Sequence, residues 1–433
     1  MKVAMATLGC KVNQYESAGI LEQLEDRGFS IVPFNTAADY YIVNTCTVTG
    51  RSDYQSRQLI RRAIRINPRA SIIVTGCYAR IAPDEIRKIT GVTLVMETKE
   101  AIAPALQDIA SGKLDPTQNP IRPDQILTIL QPKKFPGHTR AFLKIQDGCN
   151  TFCTYCIVPY ARGPSRSLSE KDVVSRIHDL QQAGFREIVL TGIHLGVYGL
   201  DLCPPSNLLN ILKKVEEKRS IERLRLSSIE PGEISDEMIA FFRSATVLCH
   251  HLHIPLQSGS DDILKRMGRP YHSAFFRNRL EKIWRTVPDM AIGMDVMVGF
   301  PGEDETAFNR TLQLIEDLPV AYLHVFPYSE RPGTAASMLS GKVRETDKKI
   351  RAEQLRSLGK KKRAAFAEKF VGKKLAVLIE GSQDPLTGFM KGFSDHYIPV
   401  FIHTRKPSLA NQIVEVIPET CEDGKLYSRM VHD

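Results

Sequence analysis

"RAFLKIQDGCNTFCTYC", residues 140–156, decides how this chain is read. Its first seven residues form an apolar-rich, strand-like run. The chain then turns at Gly148 and delivers Cys149, Cys153 and Cys156 in CxxxCxxC spacing, with Phe152 and Tyr155 beside them. Thiolates crowded into eight residues usually hold a metal, yet closed zinc sites and iron–sulfur carriers want four protein ligands. No second CxxC matches this loop as a zinc ribbon would require, and no fourth cysteine follows closely as in a ferredoxin. Cys203, behind two prolines, reads as incidental, as do Cys249 and Cys421. Three thiolates leave one iron of a four-iron cluster without a protein ligand. An open metal position is what a catalytic site needs and a structural site avoids.

Outward from that loop, six strand-like runs alternate with helical segments over about residues 139–340: "RAFLKIQ", "REIVLTG", "RLRLSSI", "HHLHIPLQ", "AIGMDVMVGF" and "AYLHVFPYS". Six β/α units predict an open, partial (β/α)6 barrel rather than the closed eight-unit form. Asp147, Gly192, His194, Glu230, Gln257, Gly299 and Tyr328 fall at strand C-terminal ends, the edge where barrel enzymes carry chemistry. His251 and His253 alternate along one strand and read as structural.

On the N-terminal side, "KVAMATLG", "DYYIVNTC", "SIIVTGC" and "GVTLVME" alternate with helical stretches, which predicts an α/β domain with a mainly parallel sheet. The first three runs end at Cys10, Cys46 and Cys77. Each alone is explained as a small buried hydrophobe. Three at equivalent strand ends would converge on the edge where α/β sheets bind ligands, which points to a second metal cluster. Residues 113–138 are rich in proline and polar groups and read as a linker. After residue 368 the period changes, and four short runs broken by Gly, Pro and Asp predict a small antiparallel β-barrel. The domains expected are thus 1–112, 113–138, 139–368 (with a trailing basic helix) and 369–433.

Composition sets the broader bounds. The chain has 433 residues, 42% hydrophobic and 25% charged, with nine cysteines and a net charge of +9. Nine cysteines in a long chain that opens directly into a strand pattern suit cytoplasmic metal or redox chemistry rather than a disulfide framework. No apolar run reaches membrane-spanning length, so no membrane partner is expected. The basic balance favours an acidic partner such as nucleic acid. It is concentrated: Lys342 to Lys374 holds 13 Lys and Arg against four Asp and Glu, including Lys360, Lys361, Lys362 and Arg363. Arg57, Arg61 and Arg65 repeat every fourth residue and share one helix face. Either cluster alone could be a solvated surface; together they suggest a polyanion-binding one.

CxxxCxxC after the first strand of a partial barrel resembles the radical S-adenosylmethionine (SAM) superfamily, in which SAM itself occupies the open iron. The stretches "LGCKVNQYES", "VNTCTVTGRSD", "VTGCYAR", "KIQDGCNTFCTYCIVPYARGPSRS", "HIPLQSGSDDILKRMGR", "VGFPGE" and "FPYSERPGT" together resemble the methylthiotransferases over nearly the full length. "LGCKVN" and "KIQDGC" are most similar to the branch acting on threonylcarbamoyladenosine beside the tRNA anticodon. The resemblance implies an auxiliary [4Fe–4S] cluster on Cys10, Cys46 and Cys77, and a SAM-binding [4Fe–4S] cluster on Cys149, Cys153 and Cys156. It implies that one SAM methylates a sulfur, and a second is cleaved to a 5′-deoxyadenosyl radical that takes the hydrogen from carbon 2 of the adenine. Gly192, His194, Glu230, Gln257 and Gly299 become candidate SAM-contacting residues, with "GFPG" (299–302) letting backbone approach the adenine. The implied partners are tRNA, SAM and an electron donor of unspecified identity, and the implied C-terminal barrel is TRAM-like. That barrel carries seven Lys and Arg against eight Asp and Glu from Phe370 on, a poor balance for gripping RNA. Two other readings stay open: the same chemistry on isopentenyl-adenosine or a ribosomal-protein aspartate, and a non-catalytic, metal-stabilised RNA-binding protein.

Overall fold

The computed structural model describes residues 1–114 and 130–431. Five strands, β1 (Lys2–Thr7), β2 (Ser30–Val32), β3 (Tyr40–Thr45), β4 (Ser71–Gly76) and β5 (Leu94–Val95), make one sheet in the order β2-β1-β3-β4-β5, every pair parallel. The central strand "YYIVNT" is buried at all six positions, as a parallel strand covered by helices on both faces must be. Two separate apolar clusters, one on each sheet face, supply those covers.

The next strands are β6 (Arg140–Lys144), the short antiparallel ribbon β7 (Gln146–Asp147) and β8 (Arg166–Ser167), then β9 (Glu187–Thr191), β10 (Arg223–Leu226), β11 (His251–His253), β12 (Ala291–Val298) and β13 (Tyr322–Pro327). Parallel ladders join β6-β9-β10 and β11-β12-β13. Parallel bridges Leu224–Leu248 and Ser228–His253 link the two halves into one open six-unit barrel. Its interior and helix shell share a single large core, in which Phe276, Leu226 and Ile292 are buried.

The long basic segment is one helix, Glu345–Glu368, laid against β13. It leads into β14 (Leu375–Gln383), β15 (Met390–Ser394), β16 (Pro399–Ile402), β17 (Ile413–Glu422) and β18 (Lys425–Met430), which close as a barrel in the order β14-β15-β16-β18-β17. Closure uses one parallel pair, β16 with β18, so the barrel is not purely antiparallel as the sequence suggested. Its core runs continuously into Phe366 and Phe370 at the helix end and Tyr322 of β13.

Most of the expected linker lies outside the described residues. Its last part is packed rather than loose: Leu130 fills the space over Gly19 and its carbonyl accepts from Tyr15 Oη at 2.8 Å, and Phe135 is buried against Tyr15 and Phe142. Among the described residues no helix is long and apolar enough to cross a membrane.

A buried ion network fixes the N-terminal domain against the barrel. Glu16, on helix Lys11–Asp26, accepts from Arg162 Nη1 at 2.5 Å and Lys144 Nζ at 3.1 Å and also pairs with Lys99. Asp147 joins from the barrel, bonded to Lys144 at 2.9 Å. On the other side, Arg223 and Arg225 of β10 donate to the carbonyls of Ala376, Phe393, Ser394 and Asp395. These bonds seat the small barrel over the mouth of the large one.

Candidate active site

The loop after β6 is shaped by Gly148, whose φ of +75° and whose tight approach to the Pro164 carbonyl, which stands where a Cβ would go, admit only glycine. Cys149, Cys153 and Cys156 are all partly exposed and line one cavity of about 330 Å³. Two cations address the sulfurs. Arg269 Nη1 donates to Cys153 Sγ at 3.3 Å and its other nitrogen pairs with Glu230. His194 Nδ1 stands 3.4 Å from Cys149 Sγ while Nε2 faces the Glu233 carboxylate. Burial works against a charged His194, but the bonds to Cys149 and Glu233 hold its pKa at about 10, so it donates to Cys149 as an imidazolium. Burial likewise opposes a Cys149 thiolate, and the hydrogen bonds from His194 and Thr151 override it and lower the thiol's pKa. For Cys156 burial outweighs the opposing hydrogen bond from the Val158 backbone and pushes its thiol up to about 12.

Gly192, His194 and Glu230 line this cavity with the three cysteines, where strand-end reasoning put them. The backbone N–H of His194 donates to Gln146 Oε1, which also sits 2.8 Å from where a Cβ on Gly192 would stand. The two remaining candidates lie elsewhere. Gln257, at φ +63°, bridges β11 and β12 through backbone bonds to Asp295 and Met297, outside both cavities. Gly299 lines a different, larger cavity, and the Lys348 side chain occupies the approach over it, its Cγ filling the place of a Cβ.

Cys10, Cys46 and Cys77 follow β1, β3 and β4, the three central strands, so the parallel order brings them to one edge. A Cβ on Gly9 would meet Cys46 Sγ at 3.3 Å, and Cys77 opens the helix that follows Gly76 (φ +96°). Burial raises the Cys46 thiol's pKa, with the Val48 backbone opposing and Cys77 and Cys10 adding to the rise. Cys77 also acts electrostatically on Arg162 and Lys99 of the buried network.

Among the described residues, the only groups of three or more His, Cys, Asp or Glu side chains whose ligand atoms all lie within 4.8 Å are His250–Asp395–His396 and His253–Asp295–His324. A single tetrahedral ion with metal–sulfur bonds of about 2.3 Å needs its sulfurs about 3.8 Å apart. Neither cysteine triad is so compact. Thiols set wider than that, with the Cys149–Cys153–Cys156 triad opening on a cavity, suit the larger footprint of a multi-iron cluster.

The larger cavity, about 1420 Å³, is where sequence reasoning was least informed. It runs between all three domains and adjoins the cysteine cavity, since Cys10, Lys11, Val48 and Ser228 line both. His251 and His253, expected to be structural, face it. They belong to a relay in which His251 Nε2 and His253 Nδ1 both meet Tyr322 Oη, at 2.7 and 3.1 Å, and His253 Nε2 and His324 Nδ1 meet Asp295 at 2.9 and 3.4 Å. Strand β12 offers Asp295 as its one acidic residue inside an apolar run, a signal that could have marked it. Tyr397 reaches the cavity from the small barrel, which no local pattern in the sequence indicates.

The basic residues divide. Lys360, Lys361 and Arg363 are exposed on their helix. Lys362 instead donates to the carbonyls of Glu316 and Leu318, both at 2.7 Å, and so caps the helix Glu305–Asp317. Arg61 and Arg65 are exposed along a groove that also includes Lys88, whereas Arg57 donates to Tyr78 Oη at 2.8 Å.

An open six-unit barrel with three cysteines in the loop after its first strand defines a radical SAM protein. Residues 143–315 match the Radical SAM superfamily, and residues 2–97 match the Uncharacterized protein family UPF0004. The fold resembles the radical S-adenosylmethionine methyltransferase TsrM of Kitasatospora setae (TM-score 0.56, 16% identity, covering 78% of this chain and 77% of that one). The chain is 40% identical over 410 residues to the threonylcarbamoyladenosine tRNA methylthiotransferase of Bacillus subtilis, covering 92% of this chain and 89% of that one. For the Thermotoga maritima protein of the same name the figures are 38%, 92% and 90%. A tRNA-2-methylthio-N(6)-dimethylallyladenosine synthase of Thermoanaerobacter is 33% identical, covering 87% and 81%. The chain belongs to the radical SAM tRNA methylthiotransferase family.

Proposed function

We propose that this enzyme adds a methylthio group to carbon 2 of threonylcarbamoyladenosine beside the tRNA anticodon, in the cytoplasm. The observation that carries this reading is near-full-length identity of up to 40% to relatives of that name. Two dimethylallyladenosine synthases are 33% and 30% identical. In this reading the domains are 1–112, a 113–138 linker, 139–368 with its trailing basic helix, and a TRAM-like 369–433.

Cys149, Cys153 and Cys156 would hold one [4Fe–4S] cluster with SAM, and Cys10, Cys46 and Cys77 a second. When bound, these groups supply reductive SAM cleavage and sulfur delivery, chemistry no side chain can provide. The chain's own residues prepare the site. His194 and Arg269 place positive charge on Cys149 and Cys153, favouring the thiolates that ligate iron. Glu233 and Glu230 hold those two cations in place. Gly192 lets the strand end lie flat against Gln146, leaving the cavity floor to a ligand. Val12, Val48, Val158 and Ile193 line the cavity with apolar surface that excludes water. The large cavity exceeds the usual drug-sized pocket and suits a nucleoside drawn out of its RNA stack. Lys360, Lys361, Arg363, Arg61 and Arg65 are the exposed cations available to phosphates.

Anaerobic reconstitution tests the reading. About eight irons per chain, 5′-deoxyadenosine release and methylthiolated threonylcarbamoyladenosine in tRNA are expected. Stoichiometric zinc without SAM cleavage would leave only a metal-stabilised RNA-binding protein.

A further inference from the structure

The large cavity has an excess of positive charge and, apart from the exposed Arg51 and Arg356, one lining cation left over. Its acidic lining residues are Asp295, Glu330 and Glu345. Each is taken: Asp295 by His253 and His324, Glu330 by Lys342 at 2.7 Å, and Glu345 by Lys348 at 2.7 Å. Of the inner cations, Arg225 is spent on Glu187 (2.7 Å) and on the carbonyls of Asp395 and Ser394. Arg140 meets Glu380 at 3.3 Å and stacks over Phe393. Lys11 is half-buried and its ammonium makes no hydrogen bond or ion pair with another described residue, although Arg140 and Arg225 lie within its electrostatic reach. Glu187 and Glu380 balance the two guanidinium groups, which leaves the partly desolvated Lys11 ammonium without a carboxylate of its own. It follows Cys10 directly and lines both cavities, so it stands at their junction.

A second vacancy lies within the wall of the same space. Tyr322 Oη meets His253 Nδ1, whose other ring nitrogen lies on Asp295. The same oxygen meets His251 Nε2. This leaves His251 Nδ1, on a side chain only 5% exposed, as a buried ring nitrogen with no partner among the described residues. Tyr397 packs 5.0 Å from the His251 ring and lies under both guanidinium groups, closing the wall.

We infer that Lys11 binds the carboxylate of the threonylcarbamoyl substituent and so selects an acidic N6 substituent over an uncharged alkyl one. The inference rests on the acceptor proposed above. The chemistry suits the position: a ureido group on N6 can close a hydrogen-bonded ring onto N1, the nitrogen next to carbon 2. The acid is thereby carried to the same side as the reacting carbon, where Lys11 stands. Arg140 and Arg225 reinforce the charge without contacting the ligand, and the small barrel contributes Tyr397 as wall rather than as an RNA grip.

The test uses reconstituted enzyme and synthetic anticodon stem–loops carrying threonylcarbamoyladenosine, or the same nucleoside with its carboxylate converted to the carboxamide. Wild-type enzyme should bind the acid roughly tenfold or more tighter than the amide, the range of a charge-assisted hydrogen bond. Lys11→Gln should lose that preference while binding the amide as wild type does, and Lys11→Arg should keep most of it. Equal iron content in all three proteins excludes loss of the neighbouring cluster as the cause. The inference is overturned if Lys11→Gln still prefers the acid as strongly as wild type, or if wild type does not discriminate. If wild type methylthiolates dimethylallyladenosine and not threonylcarbamoyladenosine, the proposed acceptor itself is wrong and takes the inference with it.

Discussion

Replacing Glu16 by Gln should loosen the join between the two cysteine-bearing domains. Glu16 is 3% exposed and meets three cations: Arg162 at 2.5 Å, Lys144 at 3.1 Å and Lys99. Asp147 is the second carboxylate of the cluster, so two negative groups face three positive ones, and Glu16→Gln leaves one facing three. At an effective dielectric of about 20, each broken pair is worth roughly 4–5 kcal/mol of attraction. Desolvation of the ions already offsets most of that sum, and breaking a buried pair from one side costs about 3–5 kcal/mol. Native-state hydrogen exchange reads the local consequence: a loss of about 3 kcal/mol should raise opening-limited exchange in Lys11–Asp26 roughly a hundredfold. Adding Lys99→Met, which removes an ammonium whose hydrogen-bond partner is Glu16, should recover part of the loss. The pH dependence follows from charge. Burial opposes ionisation, but Lys99, Arg162 and Lys144 hold the Glu16 pKa well below its ordinary value. A depressed carboxylate contributes fully above its unfolded pKa of about 4.3 and loses that contribution as pH falls toward the folded value. The gap between wild type and Glu16→Gln should therefore be full at neutral pH and shrink below about pH 4.3. Exchange in Glu16→Gln within about threefold of wild type at pH 7 would refute the view that this network holds the domains together.

Three further outcomes are expected. Cys153→Ala should abolish SAM cleavage while about four irons remain on the N-terminal triad; loss of all iron and its absorption would count against independent sites. Cys46→Ala should leave SAM cleavage to 5′-deoxyadenosine measurable but stop methylthiolation, both followed by mass spectrometry; normal methylthio product would make the three N-terminal cysteines packing residues. Neutralising Lys360 and Lys361 should weaken tRNA binding and lower the log–log salt slope by roughly 0.9 for each duplex phosphate that is no longer neutralised. Lys362 is left out because its loss would uncap the helix Glu305–Asp317, and an unchanged slope would mark the exposed pair as solvated surface.

What was legible in the sequence is what local chemistry determines. Periodicity marks the parallel strands because their burial on both faces demands unbroken apolar runs, as in "YYIVNT". Strand-end position marked Gly192, His194 and Glu230 because in a parallel barrel the chain itself carries each C-terminal end to the same rim. The same rule does not bring Gln257 and Gly299 to the cysteine cavity, since arriving at the rim does not fix which way a side chain leaves it. Gln257 turns into a backbone bridge, and Gly299 lines the larger cavity beneath Lys348. The short pieces β2, β7, β8 and β18 were missed because a strand of two or three residues, or one at the chain end, carries too little pattern. Most opaque was the wall of the large cavity. Tyr397, Lys11, Arg140 and His251 come from three domains and meet only after the folds have docked.

That docking also explains the C-terminal barrel's charge. A module gripping RNA over its whole surface should be basic, yet this one holds seven cations against eight anions. Its contacts run inward instead. Its carbonyls accept from Arg223 and Arg225, Glu380 pairs with Arg140, and Asp395 pairs with His250. Each places an acceptor of the small barrel against a cation or histidine at the mouth of the large one. Acidic residues are needed on that face, because three arginines from β6 and β10 would otherwise meet with only Glu187 to balance them. The slight negative balance is therefore the complement of the catalytic barrel's basic rim. In the proposed function, phosphates are left to the exposed cations of the helix Glu345–Glu368 and the N-terminal arginines.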